Sequence, residues 1–236
     1  MRILGIVVPL RSEARSLTRV ALTPGALNRL QANTFLTVSG IGARKAGVAA
    51  ERLVSEGATA LLSWGSAGAL HSKLSSGDLI LPKTVLTPLN TSFSVDGAWH
   101  NRLAQRLNER LIVHTESLLQ SPSVLTNPTE KMELGKQHAA IAVDMESASV
   151  AEVAMDVGIP FAAVRAIVDP LDMTLPSSVM SAIDDHGRVL LPQLLVRLLR
   201  KPAEILPLIH LGRCFRAARS TLGSAAKLAG KSFLLP

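Results

Sequence analysis

Short apolar runs the length of a strand, recurring with helical patterns between them, most restrict the fold open to this chain. They fall at residues 3–8, 34–38, 58–64, 140–143 and 161–164, with shorter ones at 78–81, 85–86 and 111–114. Residues 46–56 place Val48, Ala49, Arg52 and Leu53 at helical spacing before Gly57, and residues 146–157 form a second helix before Gly158. A basic amphipathic helix is expected over residues 101–110. Strands and helices in this alternation specify an α/β fold, a mixed central sheet flanked by helices.

Two runs end in small-residue turns, Ser39-Gly40-Ile41-Gly42 and Gly65-Ser66-Ala67-Gly68, and two end in acids, Asp144-Met145-Glu146 and Arg165-Ala166-Ile167-Val168-Asp169. Ligands of open α/β sheets sit at the carboxyl ends of strands. Glycines there let backbone amides approach an anion, and a carboxylate can hold hydroxyls or deliver a proton. Each feature also has a plain reading. A glycine turn needs no ligand, Glu13 alone would be a surface acid near a helix start, and Arg11, Arg15 and Arg44 would ordinarily be solvated. Neither glycine segment has the spacing of a dinucleotide fingerprint or a P-loop. Taken together they imply one crevice and chemistry on a sugar or heterocycle.

Composition excludes several classes. The 236 residues are 47% hydrophobic and 18% charged, which suits one substantial core and not disorder. No run of about twenty apolar residues predicts a spanning helix, and residues 1–10 read as a first buried strand and not a signal peptide. A lone Cys214 forbids an internal disulfide and fits a reducing cytoplasm. The six histidines show no metal-ligand spacing, so neither metal nor cofactor is expected. Most of the net charge of +7 lies in the tail, where seven basic residues from Arg200 onward face one acid, Glu204.

Six segments in order, namely the Glu13 loop, residues 39–42, 65–68, 77–78, 143–146 and 165–169, carry a family resemblance across roughly residues 1–185. The chain resembles the nucleoside phosphorylase and nucleosidase superfamily, most closely its methylthioadenosine/S-adenosylhomocysteine nucleosidase branch. The basic tail and apolar composition are similar to the hopanoid-associated members, which act on adenosylhopane. The resemblance implies a three-layer phosphorylase/hydrolase-like fold over residues 1–200 and a helical, basic amphipathic extension over residues 201–236.

The resemblance also implies roles. Glu13 would activate the nucleophile and Arg165 help hold it; Asp169 would share a proton with purine N7. Glu146 would bind the ribose hydroxyls and Met145 pack under the sugar. Ser66 and Gly42 would line the nucleophile pocket, Val124 and Leu125 sandwich the base, and Arg11 or Arg44 bind phosphate. Val168 stands where the nucleosidases usually have Ser, removing a hydroxyl beside the acid. The absence of any Tyr suggests a more aliphatic 5′ pocket for a bulky apolar group. Glu13 argues for water as acceptor and the arginines for phosphate; the expectation leans to phosphorolysis. Two other readings stand beside it, a 5′-thioadenosine salvage nucleosidase and a non-catalytic nucleoside- or lipid-binding protein.

The tail divides the expectations further. Residues 188–199 read as an amphipathic helix, and Arg213, Arg216 and Arg219 recur at three-residue spacing beside leucines. That arrangement suits peripheral attachment to an anionic membrane surface; a helix capping the domain or a dimer contact is the plainer reading. Nucleic acid is not expected, because aromatic platforms are lacking. Relatives in the family form dimers, which implies a homodimer.

Overall fold

The computed structural model describes residues 2–174, 204–230, 233 and 235; the helix expected at residues 188–199 lies outside them. In chain order the elements are β1 (Leu4–Val8), α1 (Arg11–Ala14), β2 (Asn28–Gln31), β3 (Thr34–Val38), α2 (Ala43–Ser55), β4 (Ala60–Ala69), β5 (Leu79–Ile80) and β6 (Thr84–Leu86). They continue with β7 (Ser92–Ser94), α3 (Gly97–Leu107), β8 (Val113–His114), β9 (Leu118–Gln120), α4 (Pro128–His138), β10 (Ala142–Asp144), α5 (Ser147–Asp156), β11 (Phe161–Asp169) and α6 (Ile205–Ala229).

The strands form one mixed sheet, as the alternation predicts. Its main path is β2-β3-β1-β4-β10-β9-β6-β7, and β11 branches from β4 to reach β5 and β8. β1, β4 and β11 run parallel, with Leu4 opposite Ala60 and Phe161 opposite Leu61. Side chains of these strands alternate between two apolar layers. Ile6, Val8, Leu62, Trp64, Val164 and Ala166 face one layer, and Val7, Leu61, Ala163 and Ile167 face the other. Burial on both faces explains why the runs read as continuously apolar.

α2 and α5 supply the second layer through Ala46, Ala50, Leu53, Val150 and Ala154. α3 and α6 cover the first layer. Asp96 caps α3 by accepting from Trp99 N at 2.7 Å, so that helix begins ahead of its expected start.

α6 belongs to the core. Leu211, Cys214, Ala218, Leu222, Ala225 and Ala229 are buried at three- and four-residue spacing against the layer holding Trp64 and Trp99. The chain beyond it is pinned as well: Trp99 Nε1 donates to the Phe233 carbonyl at 2.7 Å, and Trp64 meets the Phe233 ring edge-on. Several leucines that suggested a membrane-facing stripe, Leu211 and Leu222 among them, are spent on this packing. Among the described residues no helix is long and apolar enough to cross a membrane.

One expectation is corrected. Residues 65–68 form no turn; β4 runs through them to Ala69, pairing with β11 on one side and with Val143 and Ala142 of β10 on the other. Their small side chains make room for what packs above the strand.

Candidate functional site

Arg165 organises the carboxyl ends of β4 and β11. It is wholly buried in the middle of β11. Its Nη2 sits 2.8 Å from Asp144 Oδ2 and 3.9 Å from Glu146 Oε2. The same nitrogen donates to Ser63 Oγ at 2.6 Å and Ser147 Oγ at 3.0 Å, while Nε donates to Ser147 Oγ at 3.2 Å. Ser147 in turn donates its hydroxyl to Asp144 Oδ2 at 2.5 Å. A buried guanidinium is tolerated only when paired and hydrogen-bonded in this way. Its remaining nitrogen, Nη1, is buried without a hydrogen-bond partner among the described residues.

That free nitrogen lies beside Glu13 over Gly65. A Cβ on Gly65 would clash with Arg165 Nη1 and stand 3.1 Å from Glu13 Oε2. Glycine is required here for close approach, not for backbone conformation. Gly65→Ala is expected to push Arg165 out of its bonds, costing about 1–3 kcal/mol of stability. Thermal denaturation checks this; an unchanged melting temperature would mean the guanidinium moves freely.

Glu13 is buried in the short helix α1, just past β1. Its Oε1 accepts from Ser66 N at 2.8 Å and Ser66 Oγ at 2.5 Å, and its Oε2 from Leu10 N at 3.1 Å. Burial raises its pKa above the usual carboxylate range, against the lowering pull of Ser66, Arg165 and Leu10.

Glu146 stands at the N-cap of α5, with Oε1 accepting from Gly42 N at 2.8 Å. Gly42 has φ +103°, open to glycine and strained for other residues, so its amide can turn toward the acid. Burial pushes the Glu146 pKa up to about 7, with Arg165 pulling down and Asp144 pushing up. A carboxyl with a raised native pKa stabilises the fold fully below its unfolded pKa near 4.5, and that contribution fades as pH rises through about 7. The loss is roughly 3 kcal/mol. Wild-type stability in urea should therefore fall between pH 4.5 and 7, with a shallower fall in Glu146→Gln. Equal slopes in the two proteins would contradict this assignment.

Asp169 ends β11, past a register shift that sets it opposite Gly68. Its Oδ2 lies 2.7 Å from Nζ of Lys131, a wholly buried lysine on α4. Lys131 Nζ also donates to the carbonyls of Pro170 at 3.1 Å and Met173 at 3.0 Å. Three acceptors match the three N–H bonds of an ammonium. Asp169 Oδ1 is buried with no partner among the described residues, which leaves it the oxygen available to a ligand. Burial raises the Asp169 pKa and outweighs the lowering effect of Lys131.

The acids are neighbours. Ser66, which holds Glu13, and Gly68, which faces Asp169, lie two residues apart on β4, roughly 7 Å along the strand. Glu13 and Glu146 meet through Arg165. The salt bridge of Asp169 thus does not remove it from the cluster. A cavity of about 200 Å³ opens beside Glu13 and Ser66, its far wall formed by Phe215, Ala218 and Leu222 of α6. The cluster thus brings together three carboxyls whose pKa burial raises, one guanidinium N–H without a partner and one carboxyl oxygen without a partner among the described residues.

Other expected positions are less engaged. Met145 is half-buried next to Glu146, and Val168 is buried in the first core layer. Leu125 packs with Leu119 and Val143, the latter beside Gly68, whereas Val124 is exposed. Arg11 and Arg44 are both exposed on the surface. Asp144, Ser63, Ser147 and Lys131 are the residues sequence reasoning missed. Asp144 stood inside a motif and went without a role; a lysine in a helical pattern carries no sign of burial. Among the described residues, no group of three or more His, Cys, Asp or Glu could hold a metal ion.

Comparison with known proteins bears on the fold and the family. A 5′-methylthioadenosine/S-adenosylhomocysteine nucleosidase of Buchnera aphidicola is 28% identical over 159 residues, 59% of this chain and 68% of that protein. The Neisseria meningitidis nucleosidase of the same name, solved with methylthio-immucillin-A, superposes with a TM-score of 0.71 over 97% of this chain and 99% of its own, at 18% identity. Futalosine hydrolase of Helicobacter pylori gives a TM-score of 0.67 at 17% identity, over 96% of this chain and 97% of its own. These likenesses establish the fold. Residues 23–200, well over half of the sequence, match the Phosphorylase superfamily, and the chain belongs to that family.

Proposed function

We propose that this protein cleaves the N-glycosidic bond of an adenine nucleoside carrying a bulky apolar 5′ group, with adenosylhopane of hopanoid lipid biosynthesis as the candidate substrate. The observation that carries the reading is the convergence of Glu13, Glu146 and Asp169 at the ends of β4 and β11 in a phosphorylase-superfamily chain.

In this reading Asp169 gives a proton from its free oxygen to purine N7 while Lys131 steadies the other oxygen. Adenine leaves poorly until N7 is protonated, so an acid with a raised pKa suits the task. Glu146 accepts from the ribose hydroxyls above Met145 and favours the positive charge that develops at C1′. The C1′–N9 bond breaks with its electron pair passing to the purine. An oxygen of water, giving its proton to the carboxylate form of Glu13, or of phosphate, which needs no such transfer, is held near Arg165 Nη1, Ser66 and Glu13 and forms the new bond to C1′. Val124, Leu125 and Val168 flank the base, and Arg11 or Arg44, both exposed, would bind phosphate where phosphate is the acceptor.

The apolar wall of Phe215, Ala218 and Leu222, with no tyrosine in the chain, supports an aliphatic 5′ substituent. On the same helix Ile205, Leu206 and Ile209 stay exposed near Arg213, which supports peripheral attachment to an anionic membrane where such a substrate resides. A homodimer belongs to the same proposal. One observation favours a second reading, salvage of small 5′-thioadenosines: the Buchnera relative carries that name.

The test is adenine release from adenosylhopane and from 5′-methylthioadenosine. The proposal expects kcat/KM at least about tenfold higher for the lipid nucleoside, from burying a handful of extra methylenes. Equal or better turnover of the small nucleoside favours the second reading. Because α6 is built into the core, attachment is best probed with Leu206→Ser/Ile209→Ser and anionic vesicles rather than by deleting the tail; undiminished sedimentation would rule out that face.

A further inference from the structure

The cavity beside Glu13 has one feature that an apolar 5′ group does not use. Arg216 and Arg219 of α6 line it together with Ser12, Glu13 and Ser66. Residues three apart on a helix share a side, so the two guanidinium groups reach the same opening. Both side chains are exposed, and neither has an ion-pair partner among the described residues. Glu13 is the sole acid among the lining residues, and both its oxygens are already occupied by Leu10 and Ser66 donors. Beneath it Arg165 Nη1 is buried and unpartnered. A Cβ on Gly212, the lining residue one turn before Arg216, would meet nothing within 4 Å, so the approach along the helix is open.

We propose that Arg216 and Arg219 form an oxyanion-binding subsite, so that the C-terminal helix supplies part of the substrate or acceptor recognition of this site. The ligand is a compact phosphate or carboxylate. Guanidinium groups bind such oxyanions through paired N–H donors, and a mouth lined by two arginines above a third draws anions inward. Two sources fit that chemistry: free phosphate acting as the glycosyl acceptor, or an anionic group on the 5′ substituent. The proposal deepens the assignment of this site to nucleoside cleavage, and its first test does not depend on turnover.

Inorganic phosphate titrated into the full-length protein by calorimetry should bind, and Arg216→Gln/Arg219→Gln should weaken binding tenfold or more. Both positions are exposed, so the variant is expected to fold, which circular dichroism checks. Arg216→Lys/Arg219→Lys keeps the charge and should recover part of the affinity. Turnover then separates the sources. If phosphate is the acceptor, adenine release requires it, and the double glutamine variant raises the KM for phosphate at least tenfold while that for nucleoside stays within twofold. If the anion belongs to the 5′ substituent, a 5′-carboxyalkyl adenosine is preferred over its neutral amide, and the variant abolishes the preference. Phosphate binding unchanged in the glutamine variant overturns the proposal. So does absence of phosphate binding together with no preference for the carboxylate. A protein that binds phosphate through these arginines yet releases no adenine would sink the nucleoside reading and leave the subsite standing.

Discussion

Arg165→Met is expected to lower stability by about 3–5 kcal/mol, a large share of the roughly 5–15 kcal/mol that holds an ordinary domain folded. The substitution removes the cation that, among the described residues, pairs with Asp144 and lies near Glu146 and Glu13, and it strands the hydroxyls of Ser63 and Ser147. Buried carboxylates that lose a partner take up protons, so part of the penalty returns at low pH. Urea denaturation at pH 5 and pH 8 should show a larger loss at pH 8. A uniform loss below 1 kcal/mol would mean that Arg165 is replaceable packing. Arg165→Lys is expected to fare little better, because one ammonium cannot reproduce bonds from both Nε and Nη2.

Asp169→Asn carries the largest expected effect on activity. The amide keeps the side chain's shape and can still accept from Lys131, yet it has no carboxyl proton to deliver. Loss of a positioned general acid costs about 10²–10⁴ in rate. The wild-type kcat/KM should fall as pH rises and Asp169 ionises, and the raised pKa places that fall above the usual carboxylate range. In the variant this limb should vanish. Steady-state adenine release from pH 4 to 9 reads both effects, and a melting curve shows whether lost ion pairing with Lys131 has unfolded the variant instead. A variant within threefold of wild type, with the same pH profile, would remove Asp169 from the chemistry.

Much of the scaffold was readable because its signals are local. Apolar runs of strand length located β1, β3 and β11, and helical spacing located α2 and α5. The three acids were also legible, since each follows a strand-like run. What stayed hidden depends on contacts distant in sequence. Gly65–Gly68 looks like a turn, and only Arg165 and Glu13, brought together above Gly65, explain small residues in a strand. Lys131 reads as a surface lysine until the loop after β11 presents two carbonyls and Asp169 to it. In α6 the inward spacing from Leu211 to Ala229 was present, but the arginine repeat on its opposite side drew the reading toward a membrane. Both faces have work to do. One seals the core, and the other lines the cavity beside Glu13.

The most direct test is a single turnover. Wild-type protein in excess over an adenine nucleoside with a long aliphatic 5′ group, supplied with phosphate, is followed by chromatography for free base. Stoichiometric adenine together with a 1-phosphorylated or free sugar is the predicted result. Intact nucleoside held on the protein, with no base released across pH 5–8, would contradict it.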